Sequence, residues 1–250
     1  MKESYLVNMV NISKSFGKVQ ALKDVNFAVN YNEVVGLLGD NGAGKSTLLK
    51  TLVGFHKPDK GEIYFEGEKV SFSSPLEARL RGIEIVYQDF ALVNLMSIAR
   101  NFFLAREPIR KFGPLHFLDK ERMIKESERV LKEIGVNIRS TEETVSYLSG
   151  GERQAVTIGR AIFFGVKLLA LDEPTANLSI KEAGKVLDII KQAKNQGISV
   201  IFITHNVYHV YPVADRFVVL DHGIKIAEYN KGEVSPEEII ETIKEGKAVK

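Results

Sequence analysis

One short segment, residues 39–46, constrains the fold of this 250-residue chain more than any other. It reads GDNGAGKS and matches the phosphate-binding loop pattern G-x-x-x-x-G-K-[ST]. A continuous apolar run, Val34–Leu38, precedes it, and a helix is expected over residues 45–53. Glycines let backbone N–H groups point at an anion, and a helix N-terminus adds the positive end of its dipole. The segment therefore predicts an α/β core with a phosphate site after a buried strand.

The side chains of this loop fit a nucleoside phosphate and Mg²⁺. Lys45 can neutralise the β- and γ-phosphates, and the Ser46 hydroxyl can ligate the metal ion. The residues expected at the phosphates are Gly39, Asp40, Asn41, Gly42, Ala43, Gly44, Lys45, Ser46 and Thr47. The alternative, a glycine-rich turn without a ligand, is disfavoured because the loop lies between a buried strand and a helix.

A second apolar strand ends in two acidic residues, Asp172 and Glu173, after residues 168–171. Ligands in α/β sheets bind at the carboxyl ends of strands. An aspartate there can hold Mg²⁺ through water, and the adjacent glutamate can take a proton from an attacking water. Acidic residues at a strand end are usually only a solvated turn, but a phosphate loop nearby favours the functional interpretation.

A second glycine-containing loop, LSGGERQ, precedes a helix at residues 148–154. The residues of interest are Leu148, Ser149, Gly150, Gly151 and Glu152, called the signature loop below. Its N–H groups and serine hydroxyl can grip a phosphate, and they can equally form a helix cap with flexible glycines. One chain needs only one phosphate-binding loop for each nucleotide. A second such loop therefore suggests that it contacts a nucleotide bound by another copy of the chain.

In their order along the chain, the phosphate loop, the signature loop and the acidic pair resemble the ATP-binding subunit of an ABC (ATP-binding cassette) transporter, and the resemblance covers residues 7–227. The resemblance implies a P-loop NTPase core with a mostly parallel sheet flanked by helices. It also implies an N-terminal antiparallel β subdomain and an α-helical subdomain inserted near residues 89–162, all within one domain spanning residues 1–250. The apolar pattern agrees, with helices expected after Asp119, Ser179 and Ser235.

The resemblance also implies roles for the individual site residues. Phe16 would stack on adenine; Ser46, Gln88 and, through water, Asp172 would attend Mg²⁺; Glu173 would polarise water; and His205 would contact the γ-phosphate. Each assignment has an alternative: Phe16 as a core residue, Gln88 as a surface residue, and His205 as part of a helix cap at Asn206. The segment Asn177-Leu178-Ser179 departs from the common Ala-Leu-Asp, which leaves the inter-subunit contacts there open.

The partners are implied in the same way. Two copies, or one copy and a similar ATPase, would pack head to tail with each ATP between one phosphate loop and the signature loop of the other subunit. An integral-membrane permease and, indirectly, an extracytoplasmic solute-binding protein would complete the importer, with this chain peripheral at the cytoplasmic face of the membrane. No nucleic acid is expected among its partners.

The solute class rests on further resemblance. Residues 85–92, 101–107 and 199–206 resemble ATPases for monosaccharides such as ribose, xylose or fructose. Many of those ATPases carry two fused cassettes, and this chain resembles their rarer single-cassette form. Import of another solute, such as branched-chain amino acids, remains an alternative. So do a soluble ABC ATPase acting on DNA or ribosomes and a nucleotide-binding regulator without turnover.

Composition narrows these choices. The chain has no cysteine, which removes disulfides, thiol catalysis and thiolate metal sites. Its 34 Lys and Arg against 32 Asp and Glu give a net charge of +2 without a concentrated basic patch suited to nucleic acid. The longest stretch without charged residues, 197–214, predicts a buried strand, a polar loop and a helix rather than a membrane span.

Overall fold

The computed structural model describes residues 5–87, 91–136 and 138–248. It divides into two compact units. The first, here called the α/β unit, comprises Met1–Gln88, Val166–Pro174 and Ala193–Lys250. The second, here called the helical unit, comprises Asp89–Gly165 and Thr175–Gln192.

The secondary structure alternates strands and helices along most of the chain. The strands are β1 (Tyr5–Phe16), β2 (Val19–Asn30), β3 (Val34–Leu38), β4 (Lys60–Phe65), β5 (Glu68–Val70), β6 (Ile83–Val86), β7 (Ile109–Phe112), β8 (Leu115–Leu118), β9 (Leu168–Asp172), β10 (Ser199–Thr204), β11 (Arg216–Asp221) and β12 (Ile224–Asn230). The helices are α1 (Lys45–Leu52), α2 (Pro75–Leu80), α3 (Ile98–Phe102), α4 (Lys120–Glu133), α5 (Gly150–Phe163), α6 (Ile180–Asn195), α7 (Val207–Val210) and α8 (Pro236–Glu245).

The α/β unit contains two sheets. A six-stranded sheet has the order β12-β11-β3-β10-β9-β6 and is parallel except for the edge pair β11–β12. Its strands β3 and β10 are buried along their whole length, as continuous apolar runs in a parallel sheet covered on both faces should be. A four-stranded antiparallel sheet, β2-β1-β4-β5, is the expected N-terminal β subdomain. The predicted P-loop NTPase fold is confirmed.

Strand pairing brings the predicted motifs to one edge. β10 pairs in parallel with both β3 and β9, so the loop after β3, the acidic pair at the end of β9 and His205 after β10 lie at neighbouring positions. The stretch expected to be strand, loop and helix forms β10 and α7, with Asn206 capping α7. Within the described ranges, every helix is too short or too polar to cross a bilayer.

The helical unit agrees with the helix predictions and adds a feature that they missed. Asp119 caps α4 by accepting from the N–H of Arg122 at 3.2 Å, and Met123 on the inner face of α4 is buried. The expectation that this whole region is helical is wrong at β7 and β8, which pair as an antiparallel hairpin. Gly113, with a φ of +59°, and Pro114 make the turn, and neither residue suits a helix interior.

Candidate active site

The phosphate-loop backbone is fixed by close packing that only glycine allows. Gly39 has a φ of +143°, and a Cβ there would lie 2.2 Å from the Leu220 carbonyl oxygen. Gly44, with a φ of +102°, caps α1, and a Cβ there would lie 2.8 Å from the carbonyl oxygen of Ala21. Both contacts are with backbone, which cannot move aside. The two glycines therefore position the loop against the end of β11 and the start of β2.

An open cavity of about 240 Å³ lies at this loop. Its lining residues are Ala21, Asn41, Gly42, Ala43, Gly44, Lys45, Ser46, Thr47, Asp172 and Glu173. Gly44 provides no side-chain cap for α1, so the N–H groups of the first helical turn remain for an anionic ligand. The cavity therefore has the backbone donors, the cation and the carboxylates that the sequence predicts around a nucleoside phosphate.

Lys45 is buried within its own loop. Its Nζ donates to the carbonyl oxygens of Gly39 at 2.7 Å and Asp40 at 2.9 Å. Burial lowers the pKa of Lys45, while the negative charges of Glu173, Asp172 and Asp40 act in the opposite direction. A phosphate in the cavity would offer the ammonium group an anionic partner in place of neutral carbonyls.

Ser46 and Asp172 present oxygen ligands together. The Ser46 hydroxyl donates to Oδ2 of Asp172 at 3.2 Å, and burial raises the pKa of that carboxyl group. In the described residues no cluster of three or more His, Cys, Asp or Glu side chains could hold a metal ion alone. Mg²⁺ usually keeps several waters and takes one or two protein oxygens plus phosphate oxygens, so this pair fits it. Gln88, the third expected ligand, lies outside the described residues.

Glu173 is held by three groups at the end of β10. Its Oε1 accepts from the backbone N–H of His205 at 3.0 Å and lies 2.7 Å from the ring Nδ1 of that residue. Its Oε2 accepts from the Thr204 hydroxyl at 2.9 Å. The backbone φ of Glu173 is +50°, a conformation rare for residues with a side chain. The structure thus brings the predicted base and the predicted histidine into direct contact.

Thr204 is a site residue that the sequence reasoning missed. It ends a strand that is otherwise mostly apolar, and it stands immediately before His205. Its hydroxyl, besides donating to Glu173, accepts from the N–H of Asn206 at 3.0 Å. A hydroxyl at the carboxyl end of a buried strand beside a predicted catalytic residue is the signal that could have identified it.

Phe16 ends β1 with 43% of its surface exposed, so the interpretation as a core residue is excluded. The ring of His56 packs edge-on against it at a centroid distance of 4.8 Å, and Lys14 Nζ lies 5.6 Å from its centroid. Partial burial, with Lys50 and Lys14 nearby, lowers the pKa of His56. Phe16 is thus a supported, accessible aromatic surface, and no sequence pattern had pointed to His56.

The signature loop lies in the helical unit, where it starts α5. Ser149 caps the helix by accepting from the N–H of Glu152 at 3.3 Å, and Glu152 accepts from the N–H of Ser149 at 2.9 Å. Leu148 anchors the loop with a buried side chain. The helix-cap interpretation is therefore confirmed, and it leaves the phosphate-binding interpretation open because a capped helix N-terminus still attracts anions.

Residues 22–176 match the family model described as ABC transporter. The chain belongs to the ABC transporter family. It is 48% identical over 240 residues to the xylose/arabinose import ATP-binding protein of Sulfolobus acidocaldarius, covering 96% of this chain and 94% of the relative. It is 40% identical to the fructose import ATP-binding protein of Rhizobium meliloti, covering 92% and 90%.

A solved structure supports the same assignment. It is an ATP-binding cassette in a dimeric, post-hydrolysis state bound to ADP and phosphate. Its TM-score with this chain is 0.76 at 27% sequence identity, and the match covers 91% of this chain and 100% of that cassette. The family and the fold inferred from the motifs are thus confirmed by sequence and by structure.

The atypical segment of this ABC cassette has a local role. Ser179 caps α6: its hydroxyl accepts from the N–H of Glu182 at 3.3 Å and donates to Oε2 of that residue at 2.8 Å. Leu178 packs so closely on the signature loop that a Cβ at Gly150 would lie 2.8 Å from its Cδ2. The serine that replaces the common aspartate is therefore a helix cap within its own chain.

Proposed function

We propose that this chain is the ATP-binding and ATP-hydrolysing subunit of an importer that takes up a monosaccharide through a separate membrane permease. One observation carries the enzymatic part: a single cavity is lined by Lys45, Ser46, Asp172 and Glu173. The names of the two relatives, both sugar import ATP-binding proteins, support the solute class.

ATP would bind with its phosphates in the loop cavity. The N–H groups from Asn41 to Thr47 would hold the phosphate oxygens, and Lys45 would exchange two loop carbonyls for them. Phe16 would stack on adenine, since its exposed ring is supported from the side by His56. Binding would then order Lys45 at the phosphates instead of at its own loop.

Hydrolysis would begin with a water molecule beside Glu173. The carboxylate would accept a proton as the water oxygen bonds to the γ-phosphorus and the bond to the bridging oxygen breaks, giving ADP and phosphate. Thr204 and His205 would fix the carboxylate, and His205 would also contact the γ-phosphate. Mg²⁺ held by Ser46, Gln88 and, through water, Asp172 would neutralise charge on the phosphate oxygens.

The working assembly would contain two ATPase subunits packed head to tail, either two copies of this chain or one copy and a similar ATPase. The signature loop, Leu148, Ser149, Gly150, Gly151 and Glu152, would close on the ATP of the opposite subunit. The dimeric state of the cassette bound to ADP and phosphate supports an assembly of two ATPase subunits. The subdomain near residues 89–162 would contact the permease, and an extracytoplasmic binding protein would select the solute, with this chain peripheral at the cytoplasmic face.

Gentle affinity purification of the chain from its native membranes tests this proposal. We expect a multispanning permease to accompany it, together with magnesium-dependent phosphate release from ATP by the purified complex. A binding protein encoded with that permease is then screened against monosaccharides. Recovery with ribosomes or DNA instead of a permease would overturn the import function and leave only the ATPase.

A further inference from the structure

Glu182, in the first turn of α6, binds more than its own helix. Its Oε2 accepts from the N–H of Ser179 at 3.1 Å and from the hydroxyl of Ser179 at 2.8 Å, as a helix-capping glutamate does. Its Oε1 also accepts from the N–H of Gly151 at 3.3 Å. The hydroxyl of Ser149 hydrogen-bonds to the same carboxyl group. Two of its four donors therefore belong to the signature loop.

The backbone enforces this contact. A Cβ at Gly151 would lie 2.9 Å from Cβ and 3.0 Å from Cγ of Glu182. Any side chain at Gly151 would push the start of α6 away from the loop, because real Cβ atoms do not approach other atoms so closely. The glycine is thus needed for packing within the chain, independently of any ligand.

The Glu182 carboxylate resembles a phosphate group in its negative charge and its acceptor oxygens. A carboxylate that accepts from a serine hydroxyl and a backbone N–H at the start of α5 occupies the place that suits an anion. These hydrogen bonds, those of Ser179 foremost, lower the pKa of Glu182 to about 2, so the group is ionised at neutral pH. In the proposed function the Ser149 hydroxyl and the Gly151 N–H bind the ATP of the partner. In the separate chain both already donate to the ionised Glu182 carboxylate.

Building on the proposed function, we propose that Glu182 is a positioning residue that holds the Ser149 hydroxyl and the Gly151 N–H in the separate chain and yields them to the γ-phosphate of the partner's ATP. The carboxylate keeps the loop donors aligned while no phosphate is present. On closure it stays attached to Ser179 and gives up its two contacts with the signature loop.

The surroundings allow this exchange. A cavity of about 90 Å³ lies beside the carboxylate and is lined by Lys185 as well as by Glu182 and the loop. Lys185 stands three residues after Glu182, the spacing at which side chains on a helix become neighbours. A displaced carboxylate therefore has both space and a cation at hand. The nearby Glu182 carboxylate still weakens dimerisation, because it and the γ-phosphate of the partner's ATP repel each other at short range.

The test compares ATP-dependent dimerisation of two single-charge variants, each in a Glu173→Gln background that stops hydrolysis. Glu182→Gln keeps the size and one acceptor oxygen but removes the charge. The matched control is Glu238→Gln, because Glu238 forms the same type of capping box with Ser235 at the start of α8. Sedimentation velocity at increasing ATP concentration gives the dimer dissociation constant of each variant.

We expect Glu182→Gln to dimerise about fivefold more tightly than the background, as removal of a close like charge predicts, and Glu238→Gln to leave the constant unchanged. Binding of ATP to the monomer, measured by calorimetry, should be equal in all three proteins, which a general folding defect would not allow. Equal or weaker dimerisation of Glu182→Gln overturns the inference and makes Glu182 a helix cap alone. If the background binds ATP but stays monomeric, the head-to-tail assembly fails and the inference with it.

Discussion

At the scale of single residues, the candidate site depends on pairs that neighbouring strands bring together. Glu173 follows β9, Thr204 is the last residue of β10, and His205 comes next. The Thr204 hydroxyl and the His205 N–H both donate to the Glu173 carboxylate. Ser46 from the start of α1 bonds to Asp172 at the end of β9 in the same way. The roles predicted for Glu173, Ser46 and Asp172 thus rest on side chains that are oriented by residues distant in the sequence.

Replacing Glu173 with glutamine tests the proposed base. The amide keeps the size of the side chain but cannot accept the proton from water, so kcat should fall by at least about a hundredfold. Affinity for ATP should stay within about twofold, because Glu173 holds no phosphate. Phosphate release and calorimetry measure the two quantities. Near-normal turnover would remove Glu173 from this role.

Replacing Lys45 with alanine tests the phosphate loop. The variant loses the ammonium group that now binds Gly39 and Asp40 in the cavity wall, so ATP affinity should fall by at least about tenfold. Lys191→Ala, an exposed lysine on α6, is the control and should bind ATP normally. Unchanged ATP affinity of Lys45→Ala in calorimetry would contradict the assignment of this loop.

At the scale of secondary-structure elements, four-residue capping patterns fix where several helices begin. The same Ser-x-x-Glu arrangement starts α5 at Ser149, α6 at Ser179 and α8 at Ser235. In each, the serine satisfies an N–H of the first turn and the glutamate satisfies the N–H of the serine. Such signals are local, which is why the sequence predicted the starts of α6 and α8 and offered a helix cap as one of two interpretations of Ser149.

The cap of α6 should make stability depend on pH. The pKa of Glu182 falls from an ordinary 4.5 to about 2 in the folded chain, so the native state favours its ionised form. The stabilisation that ionised Glu182 gives the folded chain is therefore fully present above pH 4.5 and is lost as the pH falls toward about 2. Urea midpoints of the wild type and Glu182→Gln should differ by a constant amount near neutral pH and converge on acidification. A difference that grows on acidification would contradict this assignment.

At the scale of the whole molecule, a buried ion cluster ties distant parts of the α/β unit together. Arg216 at the start of β11 donates to Oε1 of Glu33 at 2.8 Å and to the Ala28 carbonyl oxygen at 2.7 Å, and it also pairs with Glu228. Arg216 and Glu33 are each only 8% exposed. The cluster joins β2 of the four-stranded sheet to the residue before β3 and to β11 and β12 of the six-stranded sheet.

Arg216→Ala should destabilise the fold strongly, because it leaves the buried Glu33 carboxylate without its cation. We expect a loss of about 3–5 kcal/mol in the free energy of unfolding. Arg129→Ala is the control: its pairs with Glu126 and Glu133 are half exposed and should contribute at most about 1 kcal/mol. Urea denaturation followed by circular dichroism measures both, and equal losses would contradict the buried-cluster argument.

Much of the fold was predictable because its signals are short in sequence. β3, β9 and β10 are apolar runs, and the phosphate loop is eight contiguous residues, so their positions were predicted to within one or two residues. The hairpin β7–β8 was missed because its two strands are short and fully exposed. Without a buried face, a strand shows no alternation between apolar and polar residues for a periodicity argument to detect.

The sequence alone determined the family, the phosphate loop, the acidic pair and the helix caps, because each depends on residue types at fixed local spacing. Only the tertiary structure decided which groups meet: Thr204 and His205 on Glu173, His56 on Phe16, and Glu182 on the signature loop. These contacts depend on strand order and on how closely distant backbone segments approach one another. No local pattern encodes such distances, since they result from packing elements far apart in the chain.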